Sequence, residues 1–173
     1  MTFEKVLNPQ HPLALSIWES YSRCFPEEER RDRQQFEELF LHPHVSVYSI
    51  SQAIKPIGYI VIWQLQEAIF LEHFEVFEDY RGLNLGSLIL KEIQQRFATI
   101  ILETEPSTLS ELANRRVNFY IRNGFTIVDE AYMQPSYGNG KPSIPLYLMA
   151  NKPIDHLENL IHEIYTLVYN QST

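Results

Sequence analysis

Glu78-Asp79-Tyr80-Arg81-Gly82-Leu83-Asn84-Leu85-Gly86-Ser87 lies between two segments of different periodicity, and this junction decides the fold. Upstream, Ala68 to Phe77 alternates and is rich in aromatic and β-branched residues, as a strand is. Downstream, Leu85 to Phe97 places Leu85, Leu88, Ile89, Ile93 and Phe97 on one face of a helix. The first turn of a helix leaves its backbone N–H groups without intrahelical partners. Together with the helix dipole, those groups favour an anion such as phosphate. Gly82 and Gly86 let the main chain approach an oxygen, and Gly86 also lets the first turn pack tightly. Arg81 offers a fork-shaped donor, and Ser87 a hydroxyl. The same glycines would serve an ordinary strand–helix turn, so the loop takes its meaning from its surroundings.

Those surroundings have a definite order. Thr2 to Leu7 reads as a short strand. Leu13 to Cys24 reads as a helix with Leu13, Ile17 and Tyr21 at helical spacing. Pro26 permits a new start, and Glu27 to Leu41 reads as a second helix with Phe36, Leu39 and Phe40 as its apolar stripe. His44 to Ser51 and Pro56 to Leu65 are strands joined near Gln52 to Lys55, and with Ala68 to Phe77 they pair most economically as antiparallel hairpins. Beyond the loop come a strand, Thr99 to Glu103, and a helix, Thr108 to Arg122, ended by Asn123-Gly124. Phe125 to Glu130 and Ser143 to Ala150 read as strands around a polar loop. Asp155 to Tyr169 is an amphipathic helix with Leu157, Leu160, Ile161, Ile164 and Val168 on its stripe. The expected class is α/β (α+β): a mixed, mostly antiparallel central sheet of about seven strands with helices on both faces and an extra C-terminal helix. The length of 173 residues suits one domain over 1–173, with its core in 2–150 and the helical segment in 153–170.

Charge and composition narrow the partners. The net charge of -8 argues against nucleic acid, which needs a cationic surface. It suits a cationic substrate such as an amine. The single cysteine, Cys24, forms no internal disulfide and fits a reducing cytoplasm. No basic head precedes an apolar run near Met1, so no signal peptide is expected, and no apolar stretch suggests a membrane helix. His42 and His44 are close, but no compact ligand set accompanies them, so no metal is expected.

Arg81-Gly82-Leu83-Asn84-Leu85-Gly86, preceded by a strand ending at Val76, resembles the acetyl-CoA signature Gln/Arg-x-x-Gly-x-Gly/Ala of the GCN5-related N-acetyltransferase (GNAT) family. Asn84 stands where the family usually has Gly, and Asn tolerates a left-handed backbone better than other non-glycine residues. Asn114-Arg115-Arg116-Val117-Asn118-Phe119-Tyr120-Ile121-Arg122-Asn123-Gly124-Phe125 resembles the family's Asn-x-x-Ala-x-x-Phe/Leu-Tyr-x-x-x-Gly-Phe, with Val117 at the Ala position. The resemblance implies the GNAT-like acyl-CoA N-acyltransferase fold and an N-acetyltransferase with acetyl-CoA as acetyl donor. It further implies that Phe74, Glu75 and Val76 lend backbone groups to the acetyl and pantetheine portions. Arg81, Gly82, Leu83, Asn84, Leu85, Gly86 and Ser87 would receive the phosphates, and Asn114 would contact the pantetheine or pyrophosphate region.

Acetyl transfer requires a neutral amine, a donor for the oxyanion and an acid for the departing thiolate. Tyr120 is the candidate acid, as the resemblance implies for a tyrosine near the cofactor sulfur. Glu72 is the candidate base: alternation puts it with Phe74 and Val76, where an apolar setting would raise a carboxyl's pKa. His73, on the opposite face, and water are the other bases to weigh. The family's acceptor entry corresponds to Tyr21 to Arg31 and Tyr132 to Lys141. Phe25, Glu28, Tyr132 and Tyr137 would supply aromatic and acidic contacts to an amine there. A non-catalytic acyl-CoA-binding or sensing module of the same fold would use the same loop. The C-terminal helix either packs on its own sheet or serves as a docking face, as in a homodimer.

Overall fold

The computed structural model describes residues 1–171. The elements are β1 (Thr2–Val6), α1 (Pro12–Cys24), α2 (Arg33–Leu39), β2 (Val45–Gln52), β3 (Lys55–Gln64), β4 (Ile69–Val76), α3 (Leu85–Arg96), β5 (Ile100–Thr104), α4 (Glu111–Arg122), β6 (Thr126–Asp129), β7 (Met133–Gln134), β8 (Ile144–Pro145), β9 (Tyr147–Ala150) and α5 (Leu157–Leu167). Seven strands form a mixed sheet in the order β1-β2-β3-β4-β5-β9-β6, and β7 and β8 form a separate hairpin. No helix among the described residues is long and apolar enough to cross a membrane.

The chain divides into two compact units, Met1–Gln64 with Leu71–Ile89, and Leu65–Phe70 with Leu90–Thr173. In the first unit, β1 pairs antiparallel with β2 and β2 with β3, with a bulge at Ile50/Ser51. Helix α1 starts at Pro12 behind His11, whose ring nitrogen accepts from the Leu13 N–H, and it buries Ala14, Ile17, Ser20 and Tyr21. In the second unit, β9 lies antiparallel between β5 and β6. The stripe of α5 is covered by its own unit, with Leu160, Ile164, Val168 and Tyr169 buried. That is the packing expected of a helix lying on its own sheet.

Three elements and one buried stripe depart from the sequence reading. The single helix expected over Glu27 to Leu41 is instead a 3₁₀ turn, Glu27–Glu29, an extended Arg30, and α2. Asp32 causes the restart. Its carboxylate accepts from Gln35 N–H at 2.9 Å while the Gln35 side chain accepts from Asp32 N–H at 3.0 Å, a reciprocal capping box. Helix α4 begins at Glu111 rather than near Thr108 because the Ser110 hydroxyl caps Ala113 N–H at 3.0 Å. The strand expected over Ser143 to Ala150 is broken at Leu146. Pro145 has no N–H to give a ladder, and Leu146 N–H turns to Tyr132 O at 3.0 Å. On α3, Leu88 is exposed and Leu90 is buried, so the stripe is Leu85, Ile89, Leu90 and Ile93. Five apolar positions at mixed i+3 and i+4 spacing allow more than one face, and packing selects between them.

Strand β3 approaches β4 closely at one point. A Cβ on Gly58 would lie 2.2 Å from the main-chain oxygen of Glu75. No rotamer change relieves a clash with backbone. We therefore expect Gly58→Ala to cost about 2–3 kcal/mol in urea unfolding; an unchanged midpoint would mean that β3 and β4 are not held at this distance.

Candidate active site

The alternation expected along β4 is present. His73 and Glu75 are buried on one side, and Glu72, Phe74 and Val76 take the other. The partners of these side chains come from α1 and the segment leading into α2, all within the first unit.

Glu72 does not sit in the apolar setting expected for a base. One carboxylate oxygen accepts from Arg31 Nε at 3.0 Å and Nη2 at 2.9 Å, and the other accepts from the Trp63 indole at 2.8 Å. Its side chain is wholly buried while the residue as a whole is half-buried, so what it exposes is main chain. The Arg31 guanidinium also lies over the Trp63 ring, 5.3 Å from its centre. These donors stabilise the carboxylate's charge.

His73 is sealed close by, with Nε2 3.9 Å from Glu72 Oε1. Its Nε2 lies 3.1 Å from the Tyr21 hydroxyl, and that hydroxyl accepts from Arg31 N–H at 2.7 Å. The hydroxyl and Nε2 share one hydrogen bond, and Nδ1 is buried with no hydrogen-bond partner among the described residues. Tyr21 and Phe25 pack edge-on against the ring at 4.7 and 4.6 Å. Burial pushes the imidazole down to about 4, with Glu72 opposing and Arg31 adding to the fall. Burial, and then the Glu72 charge, drives the Tyr21 phenol upward.

Glu75 gathers donors onto one oxygen: the Ser20 hydroxyl at 2.7 Å, the Cys24 thiol at 2.9 Å and Arg81 Nη2 at 3.4 Å. The Cys24 thiol is raised by burial first and by its bond to Glu75 second, so it is a poor nucleophile despite its exposure.

The loop after β4 carries the backbone its sequence requires. Gly82 has φ of 78° and Asn84 has φ of 59°, so Asn84 does adopt the left-handed form that a glycine would. The first helical bond runs from Leu88 N–H to Asn84 O at 3.4 Å. The N–H groups of Leu85, Gly86 and Ser87 precede it and have no intrahelical acceptor. Arg81, Gly82, Leu83 and Asn84 are exposed, and nothing lies within 4 Å of where a Cβ on Gly82 would stand. The loop is an open cradle of donors at a helix start. The Arg81 guanidinium is turned away from it: Nε donates to Val76 O at 2.9 Å and Nη2 reaches Glu75 and Cys24.

The second unit holds the remaining candidates. Tyr120, on α4, is buried between Phe119 and Phe125, and burial pushes its phenol up to about 12 against a smaller lowering by Arg116. Its hydroxyl has no hydrogen-bond partner among the described residues. Arg116, one turn earlier, pairs with Glu105 beyond β5. Asn114 is exposed, and its side-chain oxygen accepts from Asn118 Nδ2 at 2.9 Å. Tyr132 is 2% exposed and gives its hydroxyl to Glu103 at 2.5 Å, beside a second donation from Tyr169 at 2.7 Å. Tyr137 is buried against Tyr169. Of the four acceptor candidates, Glu28 is exposed on its 3₁₀ turn, Phe25 is half-buried on His73, and Tyr132 and Tyr137 are interior. The sequence reading omitted Arg31, Trp63, Ser20 and Glu103, whose partners stand far off in the chain and at no recognisable spacing.

The profile of the acetyltransferase (GNAT) domain matches residues 43–127, which spans β4, the loop and α4. A solved structure from Bacteroides thetaiotaomicron, assigned to the acetyltransferases of the GNAT family, superimposes with a TM-score of 0.92 at 29% identity, covering 99% of this chain and 100% of that one. The ribosomal-protein-S18-alanine N-acetyltransferase of Escherichia coli shares the fold at a TM-score of 0.58 and 18% identity, over 86% of this chain and 91% of its own. A GNAT family acetyltransferase from Elizabethkingia anophelis, solved with acetyl-CoA bound, shares it at 0.59 and 14% identity, over 88% and 97%. No curated protein matches the chain by sequence.

The sealed His73 gives a pH test. Its folded pKa of about 4 lies below the unfolded value of 6.5, so between these values the unfolded chain binds more protons and stability falls as pH is lowered. Urea unfolding should show about 2 kcal/mol lost through this group between pH 7 and pH 5. His73→Gln should flatten that dependence; parallel curves for the two proteins would contradict the burial assigned to His73.

Proposed function

From its likeness to the GNAT acetyltransferases, we propose that the chain moves an acetyl group directly from acetyl-CoA to a primary amine. The observation that carries the proposal is the open loop Arg81–Ser87, with left-handed backbone at Gly82 and Asn84 and three N–H donors at the start of α3. That arrangement suits a pyrophosphate. Main-chain groups of Phe74, Glu75 and Val76 are assigned to the pantetheine arm, and Asn114 to the same cosubstrate. Acetyl-CoA supplies a thioester whose carbonyl carbon an amine attacks, with thiolate as leaving group.

Tyr120 is proposed as the acid. Its phenol, held neutral by burial, gives its proton to the thiolate as the C–S bond breaks, and the phenolate is reprotonated from water, which has taken up the amine's proton. Glu72 is proposed as a positioning group, because its charge is committed to Arg31 and Trp63. The amine's proton is assigned to water, since His73 is engaged by Tyr21 and is too weak a base near neutrality. The acidic chain, at a net charge of -8, favours a cationic amine over an anionic acceptor. Glu28 is the exposed acid assigned to attract it, and a cytoplasmic setting fits both the donor and the lone thiol.

The engagement of both β4 candidates also supports a second reading, an acyl-CoA-sensing module without turnover. Calorimetry with acetyl-CoA, followed by a panel of primary amines assayed for thiol release, separates the two. The enzyme reading predicts micromolar to millimolar binding, turnover with at least one amine, and a loss of kcat on the order of 10² in Tyr120→Phe. Tight binding with no release above background, the same in Tyr120→Phe, would establish the sensor. No binding at millimolar acetyl-CoA would sink both.

A further inference from the structure

We infer that Glu75 is a positioning residue for the cofactor loop, its buried carboxylate holding the Arg81 guanidinium against the end of β4 so that the N–H groups of Gly82 to Ser87 stay turned outward. The inference rests on the reading of Arg81–Ser87 as a pyrophosphate site.

Arg81 is the first residue of the loop, and its side chain touches three places. Nε donates to Val76 O at 2.9 Å, Nη2 reaches Glu75 Oε1 at 3.4 Å, and Nη2 also lies 3.4 Å from Cys24 Sγ of α1. Glu75 is the hub of this clasp. Its carboxylate is 5% exposed, and the Ser20 hydroxyl and Cys24 thiol fix the same oxygen that Arg81 meets. Its main chain is fixed as well, by the close approach of Gly58. The carboxylate is thus a rigid post, and Arg81, half exposed, is the movable partner tied to it.

Two physical arguments give the clasp a purpose beyond stability. A buried carboxylate is costly, and well-packed apolar side chains would stabilise the fold as well or better. The loop meanwhile holds Asn84 in a left-handed conformation that persists only where its surroundings fix it. An anchor at Arg81, three residues earlier, supplies that fixing. The pair also sets the charge near the loop. An unneutralised Glu75 would repel a pyrophosphate, and the ion pair with Arg81 removes most of that repulsion.

The test is a double-mutant cycle on CoA affinity. Kd for CoA is measured by calorimetry in the wild type, Glu75→Gln, Arg81→Met and the double variant. Affinity for pantetheine, which has no pyrophosphate, is followed by NMR titration in the same proteins. We expect each single change to weaken CoA about tenfold, the loss of one charge-assisted contact. The double variant should be no worse than the weaker single, and pantetheine affinity should fall clearly less than CoA affinity. A purely structural Glu75 would weaken both ligands alike. Glu75→Gln binding CoA as tightly as the wild type, additive losses, or equal losses for pantetheine would each overturn the inference while leaving the loop reading intact. Wild type that fails to bind CoA would overturn the loop reading and this inference with it. Should Glu75→Gln not fold, Glu75→Asp keeps the charge but shortens its reach, and completes the same cycle with Arg81→Met.

Discussion

Strand β4 carries three enclosed ionisable side chains, Glu72, His73 and Glu75, and the first unit supplies each with partners while leaving His73 Nδ1 and Glu75 Oε2 without one among the described residues. Glu72 Oε1 lies 3.9 Å from His73 Nε2, and the side chains of Glu72, His73 and Glu75 are all buried. Each therefore needs its own partners from elsewhere, because buried polar groups left unpaired are costly. Arg31 and Trp63 answer Glu72; Tyr21 answers His73; Ser20, Cys24 and Arg81 answer Glu75. Helix α1 supplies Ser20, Tyr21 and Cys24 from one face, which fixes its rotation over the strand. The extended segment before α2 is fixed in turn, since Arg31 gives its main-chain N–H to Tyr21 and its side chain to Glu72.

This arrangement reorders the chemistry that a first look at β4 suggests. A carboxylate and an imidazole near a glycine-containing strand–helix loop invite assignment as bases. The carboxylate is committed to a guanidinium and an indole, and the imidazole is neutral and enclosed by Tyr21 and Phe25. What β4 contributes instead is position. Its end presents Val76 O and Glu75 to Arg81, and the loop begins there. In the second unit, Tyr120 is buried, and burial raises its phenol.

The parts legible in the sequence are those governed by local rules. The strand–loop–helix junction, the left-handed tolerance of Asn84, the alternation along β4 and the Asn123-Gly124 helix end all rest on neighbouring residues, and all are present. The acetyltransferase (GNAT) match over 43–127 agrees with the two motifs that carried the resemblance. What escaped was set by contacts remote in sequence. Arg31 and Glu72 stand 41 residues apart, and Tyr169 and Glu103 stand 66 apart. No periodicity announces such pairs. Even the split of Glu27 to Leu41 was partly local, in the Asp32–Gln35 capping box, and partly remote, in the hold of Tyr21 on Arg31. Tyr132 and Tyr137, read as contacts for an amine acceptor, are instead buried against Glu103 and Tyr169.

The central claim is that main-chain N–H groups of the Arg81–Ser87 loop hold a pyrophosphate. The most direct measurement is a backbone amide NMR titration with CoA, with inorganic pyrophosphate as a second ligand. The account predicts that the amides of Gly82, Leu83, Asn84, Leu85, Gly86 and Ser87 show the largest shifts with both ligands, moving downfield as N–H groups do on meeting a phosphate oxygen. Saturable CoA binding that leaves those amides unmoved, with the main shifts elsewhere in the chain, would contradict it.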